Sequence, residues 1–178
     1  MGIREFEEQL YNLSKKGKVI FTQSELFLIM SECSTKALRS TLSRYVSNRV
    51  LIRLTTGIYL NPRSAPTPTE VLFTSAKILR DGFLWYLSLE SALSEYGMIS
   101  QIPMTTITCM TTGRSGRFEI RDYGTVEFTH TKKEQEILLP HLVYDTARGC
   151  YIADAELALM DLKAVGRNID LLDKEEYS

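Results

Sequence analysis

The sequence predicts an α+β chain: an N-terminal winged helix-turn-helix, then a mixed α/β C-terminal domain with an antiparallel sheet. Three observations predict it. Apolar residues recur at helical spacing over residues 22–33 and 35–48, and VLIRLTTGIYL (50–60) follows as a small hairpin. NPRSAPTP (61–68) then breaks the pattern, with three prolines in eight residues. Beyond it, helical stretches alternate with short β-rich runs. The boundaries follow as 1–62 for the first domain and 67–178 for the second.

The elements come in this order. Ile3, Phe6, Leu10 and Leu13 mark one face of a first helix, which Lys15-Lys16-Gly17 ends with cations and a glycine. Residues 18–21 are briefly extended. Thr22-Gln23-Ser24-Glu25 is a capping box, and Leu26, Ile29, Met30 and Cys33 give the second helix its apolar face. Ser34 or Thr35 caps a third helix that ends near Asn48. Residues 50–54 and 57–60 form the wing, with Thr55-Thr56-Gly57 at its tip, where glycine supplies the positive φ of a tight hairpin.

After the linker, Thr67 and Glu70 form a second capping box with Pro68 at the first helical position. That helix breaks at Asp81-Gly82. FLWYL (83–87) reads as a buried strand, with a stacking platform for bases as the alternative. A helix from Ser88 or Leu89 ends at Gly97. Gln101-Ile102-Pro103 leads into a strand at 105–111. TGRSGR (112–117) is a hairpin turn or, less simply, an anion-binding nest. Residues 118–123 and 125–130 form a meander, 138–144 and 150–152 are further strands, and Asp154 caps a last helix to Val165, stopped by Gly166. Leu171-Leu172 and the acids after them read as a weakly docked end.

The third helix carries most of the functional argument. At 100° per residue, Leu38, Leu42, Tyr45 and Val46 share the core side. Lys36, Ser40, Ser43 and Ser47 cluster opposite, flanked by Arg39 and Arg44. Serine is a mediocre helix former, so propensity does not explain three of them on one face. Small hydroxyl side chains let a helix enter a groove, and arginines reach phosphates or the acceptor edge of guanine. Arg53, Thr55 and Thr56 on the wing are placed to touch the sugar-phosphate backbone.

Charge follows the same division. Of 178 residues, 21 are Lys or Arg and 22 are Asp or Glu, yet residues 1–65 carry a net +5 and the remainder a net −6. A basic module on an acidic body points to nucleic acid for the first part only. Apolar and charged fractions of 44% and 24% suit an ordinary globular chain. No apolar run approaches the roughly 20 residues of a membrane span. MGIREFEEQL is charged and helical, unlike a signal peptide, and Phe6 stands where a myristoylation site needs Ser or Thr. Three scattered cysteines, Cys33, Cys109 and Cys150, suit reduced thiols, so the expected location is the cytoplasm.

Enzyme signatures are absent from the sequence. There is no GxSxG, no zinc-ligand spacing around His130 or His141, and no E-x-K after Asp122 and Glu127 to complete a nuclease pattern. The expectation is therefore no catalytic residue, no metal and no cofactor. Asp161, in an apolar helix run, reads as a structural hydrogen-bonding or ion-pairing group.

Two blocks then resemble the AbiEi family of antitoxins from type IV toxin–antitoxin (abortive infection) systems. The first is FTQSELFLIM through VLIRLTTGIYL. The second is LSLESALSEYGMISQIPMTTITCMTT (87–112), with DAELALMDL (154–162) as a weaker echo. Leu157 departs from the resemblance, since relatives often carry a basic residue there, and longer relatives continue beyond the position of Gly166. The resemblance implies a phage-defence setting. It implies an N-terminal winged helix that binds inverted repeats in its operon promoter and represses transcription. It also implies a C-terminal antitoxin domain that counteracts a cognate nucleotidyltransferase-like toxin, often without a stable complex. On this resemblance the DNA contacts fall to Lys36, Arg39, Ser40, Ser43 and Arg44; Ser47, Arg53, Thr55 and Thr56 join them from the helix and wing patterns. The alternative is a protein-interaction module that binds a partner protein and has little DNA affinity.

Overall fold

The computed structural model describes residues 2–30, 34–99 and 105–166, and its architecture is α+β. Among the described residues there are seven α-helices, a three-stranded antiparallel sheet and a six-stranded mixed sheet. The chain divides into two compact units: residues 1–78 with 120–122, and residues 79–119 with 123–178. No helix among the described residues is long and apolar enough to cross a membrane.

The first unit opens with α1 (Ile3–Ser14), β1 (Ile20–Thr22), α2 (Gln23–Ile29) and α3 (Thr35–Ser47). β2 (Ile52–Thr55), β3 (Ile58–Leu60) and α4 (Pro68–Leu79) follow. The extended segment before α2 is a full strand: β1 pairs with β3, giving the order β1-β3-β2. Phe6, Leu10, Phe21, Leu26, Leu38, Leu42 and Tyr45 form one apolar core, with the Phe6 and Tyr45 rings 4.7 Å apart. Burying side chains of this size is the main favourable term in folding such a unit. Ile3 leaves the predicted face and is exposed, while Phe6 and Leu10 are buried.

Both capping boxes form. The Glu25 amide donates to Thr22 Oγ1 at 3.1 Å, and the Thr22 amide donates to Glu25 Oε2 at 2.7 Å. At α4 the Thr67 amide donates to Glu70 Oε2 at 2.6 Å, and the Glu70 amide to Thr67 Oγ1 at 3.2 Å. Each box satisfies two amides that a helix start leaves without partners. Glu25 also takes Lys18 Nζ at 2.7 Å. Burial pushes the Glu25 carboxyl up, but Lys18 and the Thr22 amide outweigh that and hold it below its ordinary range.

The second unit holds β4 (Trp85–Leu87), α5 (Leu89–Glu95), β5 (Thr106–Thr111), β6 (Gly116–Ile120) and β7 (Gly124–His130). It continues with α6 (Gln135–Leu138), a 3-10 turn (Leu139–His141), β8 (Leu142–Asp145), β9 (Cys150–Ala153) and α7 (Ala155–Val165). The sheet order is β6-β7-β5-β4-β9-β8. The expected antiparallel sheet is corrected here. β5 runs parallel to β7 and β4 parallel to β9, while β4–β5 and β8–β9 are antiparallel. The reason is that β7, not β6, pairs with β5; β6 occupies the outer edge beyond β7, so the chain passes over one strand position and returns in the same sense. The predicted strand at 138–144 is likewise shortened, because Pro140 sits in the 3-10 turn and pairing begins only at Leu142.

One glycine is fixed by sterics. Gly124 has φ +131°, and a Cβ there would lie 1.9 Å from the Thr105 carbonyl oxygen. The interior of this unit is partly polar. Asp161 is 0% exposed and accepts from Tyr86 Oη at 3.0 Å and Ser88 Oγ at 2.8 Å, while Lys133 Nζ donates to its other oxygen. Burial first, then the Asp161 charge, pushes the Tyr86 phenol well above its usual range. The predicted structural role of Asp161 matches this arrangement. Cys109 and Cys150 are buried free thiols, both raised by burial, Cys150 to about 12. Cys33, the 101–103 segment and Leu171-Leu172 lie outside the described residues.

Candidate functional site

α3 forms where the sequence places it. Ser34 Oγ accepts the Ala37 amide at 3.4 Å, which caps the helix start. Leu38, Leu42 and Tyr45 are buried and Val46 is half-buried, so the inward face is set. Lys36, Arg39, Ser40, Ser43, Arg44 and Ser47 are all exposed on the other side. The helix ends as Asn48 bonds back to Arg44, and Arg49 takes φ +58°, an uncommon conformation for a side chain of that size. The Val50 amide, bonded to the Tyr45 carbonyl at 2.8 Å, then turns the chain toward β2.

The β2–β3 hairpin turns at Thr56-Gly57, with Gly57 at φ +77°. The Gln23 amide donates to the Gly57 carbonyl at 2.8 Å, which ties the hairpin tip to the start of α2. Between α3 and the hairpin lies an open cleft of about 480 Å³. Arg39, Ser43 and Ser47 line it from the helix, and Arg53 and Thr56 from the hairpin. Leu42, Val46 and Tyr59 supply its apolar part, and Gln23 adds a polar group.

The nine sequence-derived candidates therefore separate. Arg39, Ser43, Ser47, Arg53 and Thr56 meet at one cleft. Lys36, Ser40 and Arg44 stand on the exposed face of α3 but do not line it, and Thr55 is half-buried and gives its carbonyl oxygen to Arg53 Nε at 3.4 Å. Arg53 also reaches Thr56 Oγ1 at 3.4 Å, so its guanidinium lies along the hairpin tip. The Arg44 guanidinium is 5.9 Å from the centre of the Tyr45 ring. Two serine hydroxyls are turned inward along the helix: Ser40 Oγ donates to the Ala37 carbonyl at 2.9 Å, and Ser47 Oγ to the Ser43 carbonyl at 3.0 Å. Gln23 and Tyr59 also line the cleft and lie outside these nine. Tyr59 sits in a strand whose three residues are all buried, so no alternation marks it.

The electrostatics favour an anionic occupant. Among the described residues, Lys36, Arg39, Arg44 and Arg53 make no ion pair, whereas Lys18 and Arg63 of the same unit pair with Glu25 and Glu7. Among the described residues no acidic side chain lines the cleft. Unneutralised cations around a groove attract a polyanion with a strength that falls as salt rises. Among the described residues no group of three or more His, Cys, Asp or Glu can hold a metal ion. No protein-family model matches the chain, and no curated protein matches it either.

Proposed function

We propose that residues 1–62 are a winged helix-turn-helix, with α3 as the recognition helix and the β2–β3 hairpin as the wing, and that the chain represses its own toxin–antitoxin operon by binding promoter DNA. The observation that carries this reading is the meeting of Arg39, Ser43 and Ser47 with Arg53 and Thr56 at one cleft, with no acid lining it among the described residues. In this reading the outward face of α3 enters a major groove and the wing follows the adjacent backbone. The antitoxin half, the neutralisation of a nucleotidyltransferase-like toxin in a cytoplasmic setting, rests on the resemblance of 87–112 and 154–162 and is assigned to the second unit.

A mobility-shift titration against the upstream DNA, at two salt concentrations and with random DNA of equal length, tests the repressor half. The expected result is sequence-preferring binding that weakens steeply with salt. No preference over random DNA, or no salt dependence, would reject it. Growth rescue on co-expression with the neighbouring toxin gene tests the other half.

One observation favours the protein-interaction reading. β8 is the last strand of its sheet and exposes Val143 and Tyr144, with Leu139 exposed just before it. An apolar edge strand is a template for pairing with another chain. Co-purification of a partner together with absent DNA binding would select that reading.

A further inference from the structure

Two stretches that the repressor reading leaves unused come together in the second unit. One is Phe83, the first residue of the aromatic run 83–87. Trp85, Tyr86 and Leu87 are buried, but Phe83 is 55% exposed. The other is the TGRSGR turn. The Thr112 amide and Thr111 Oγ1 both donate to the Leu84 carbonyl, at 2.9 and 3.0 Å, which anchors the turn beside Phe83. A Cβ at Gly113 would lie 3.1 Å from Phe83 Cγ, so the ring packs closely against the glycine backbone.

Phe83, Thr112, Gly113, Arg114 and His130 line a shallow cleft of about 300 Å³. Among the described residues no acid lines it and Arg114 makes no ion pair. His130 Nδ1 lies 2.8 Å from the Gly113 carbonyl oxygen. A carbonyl only accepts, so Nδ1 carries a proton there and Nε2 is the ring nitrogen left for a ligand. A further cation stands behind the turn. Arg80 is buried, lies 4.1 and 5.1 Å from the Phe128 and Phe118 ring centres, and donates to the Arg114 carbonyl at 2.6 Å. It has no acidic partner among the described residues, and its Nε has no hydrogen-bond partner. A solvent-facing aromatic ring beside unneutralised cations is how proteins hold a base and its phosphate without reading sequence.

We propose that the Phe83–Arg114–His130 cleft binds a nucleotide, its base stacked on Phe83, its phosphate held by Arg114, and a ligand hydroxyl donating to His130 Nε2. The nucleotide is either a free nucleoside monophosphate or a unit of a single strand. Its residues all belong to the second unit, and it does not depend on the repressor reading.

The full chain is titrated with AMP, GMP, CMP and UMP, with inorganic phosphate, and with a labelled single-stranded DNA hexamer of mixed sequence. Calorimetry and fluorescence anisotropy read the binding. Saturable binding of nucleotides is expected, with phosphate alone about tenfold weaker. Phe83→Ala should weaken nucleotide binding about tenfold while Phe83→Trp retains it. Arg114→Ala should weaken nucleotide and phosphate alike, and far-UV circular dichroism confirms that each variant is folded. A hexamer that binds far more tightly than the mononucleotides identifies a strand as the occupant; equal affinities identify the free nucleotide. The proposal is overturned by any of three results: no saturable binding of any probe, phosphate binding as well as nucleotides, or wild-type affinity in both Phe83→Ala and Arg114→Ala. Arg39→Ala, which bears on the repressor reading, should leave this binding unchanged; its loss in that variant would place the nucleotide on the first unit and also overturn the proposal.

Discussion

The two units differ in what their buried clusters hold. In the first, the buried cluster is apolar apart from the Tyr45 and Tyr59 hydroxyls, and among the described residues the cations of α3 make no ion pair. In the second, a carboxylate at 0% exposure gathers a tyrosine, a serine and a lysine, and Arg148 is held by Glu95 and Asp145. Buried ionic groups repay desolvation only when fully hydrogen-bonded, so they contribute less to net stability than to fixing one arrangement. Surface cations without partners remain available for binding.

Asp161→Ala should break this contrast most severely. It removes the acceptor for Tyr86 and Ser88 and leaves both hydroxyls buried, at a cost of about 3 kcal/mol. Trp85 is the sole tryptophan and lies in the second unit, so its fluorescence during urea denaturation follows this unit directly. Asp161→Asn keeps an acceptor oxygen and should cost less. A cost below about 1 kcal/mol for the alanine variant would mean that the polar interior does not hold the unit together.

The next effect falls on binding. If the cleft is the DNA contact, Arg39→Ala should lower affinity about tenfold and reduce the salt slope by about one phosphate contact. Arg44→Ala, outside the cleft, should cost less. Equal losses would make the whole face of α3 the contact and remove the hairpin's distinction.

What was legible in the sequence follows the distance over which each feature is encoded. Thr22–Glu25 and Thr67–Glu70 span three residues, and both boxes appear as read. The inward and outward faces of α3 follow from one turn of periodicity. The pairing of β1 with β3 joins residues some 40 apart, and the parallel pairing of β5 with β7 skips a strand; no local pattern encodes either. The cleft was legible as two half-lists, α3 and hairpin, but not the division between Ser43, which lines it, and Ser40, which does not. Exposure has a period; the direction of a hydroxyl does not.

A smaller effect tests the local end of that scale. Glu25 has its folded pKa held below the unfolded value, so its contribution is present above the unfolded pKa and is lost as pH falls through the folded one. Glu25→Gln should cost about 0.5–1 kcal/mol at pH 7, since the pair with Lys18 is half-exposed and partly screened. At pH 3 the difference from wild type should shrink, as seen in thermal melts and in hydrogen exchange of the α2 amides. An unchanged difference at both pH values would assign the effect to side-chain shape rather than charge.

The smallest expected effects separate the serines. Ser40 and Ser47 spend their hydroxyl protons on carbonyls of their own helix. Replacing either with alanine removes a local bond that competes with good helix geometry, and alanine is the better helix former. Ser40→Ala and Ser47→Ala should therefore stabilise slightly, by about 0.3 kcal/mol, and change DNA affinity by no more than about twofold. Ser43 lines the cleft and makes no hydrogen bond through its hydroxyl among the described residues, so it is the one free to meet a ligand. Ser43→Ala should weaken binding more than the other two in the same mobility-shift titration. A larger loss in Ser40→Ala would mean that DNA draws that hydroxyl away from the helix backbone, and that the contact lies on the exposed ridge of α3 rather than beside the hairpin.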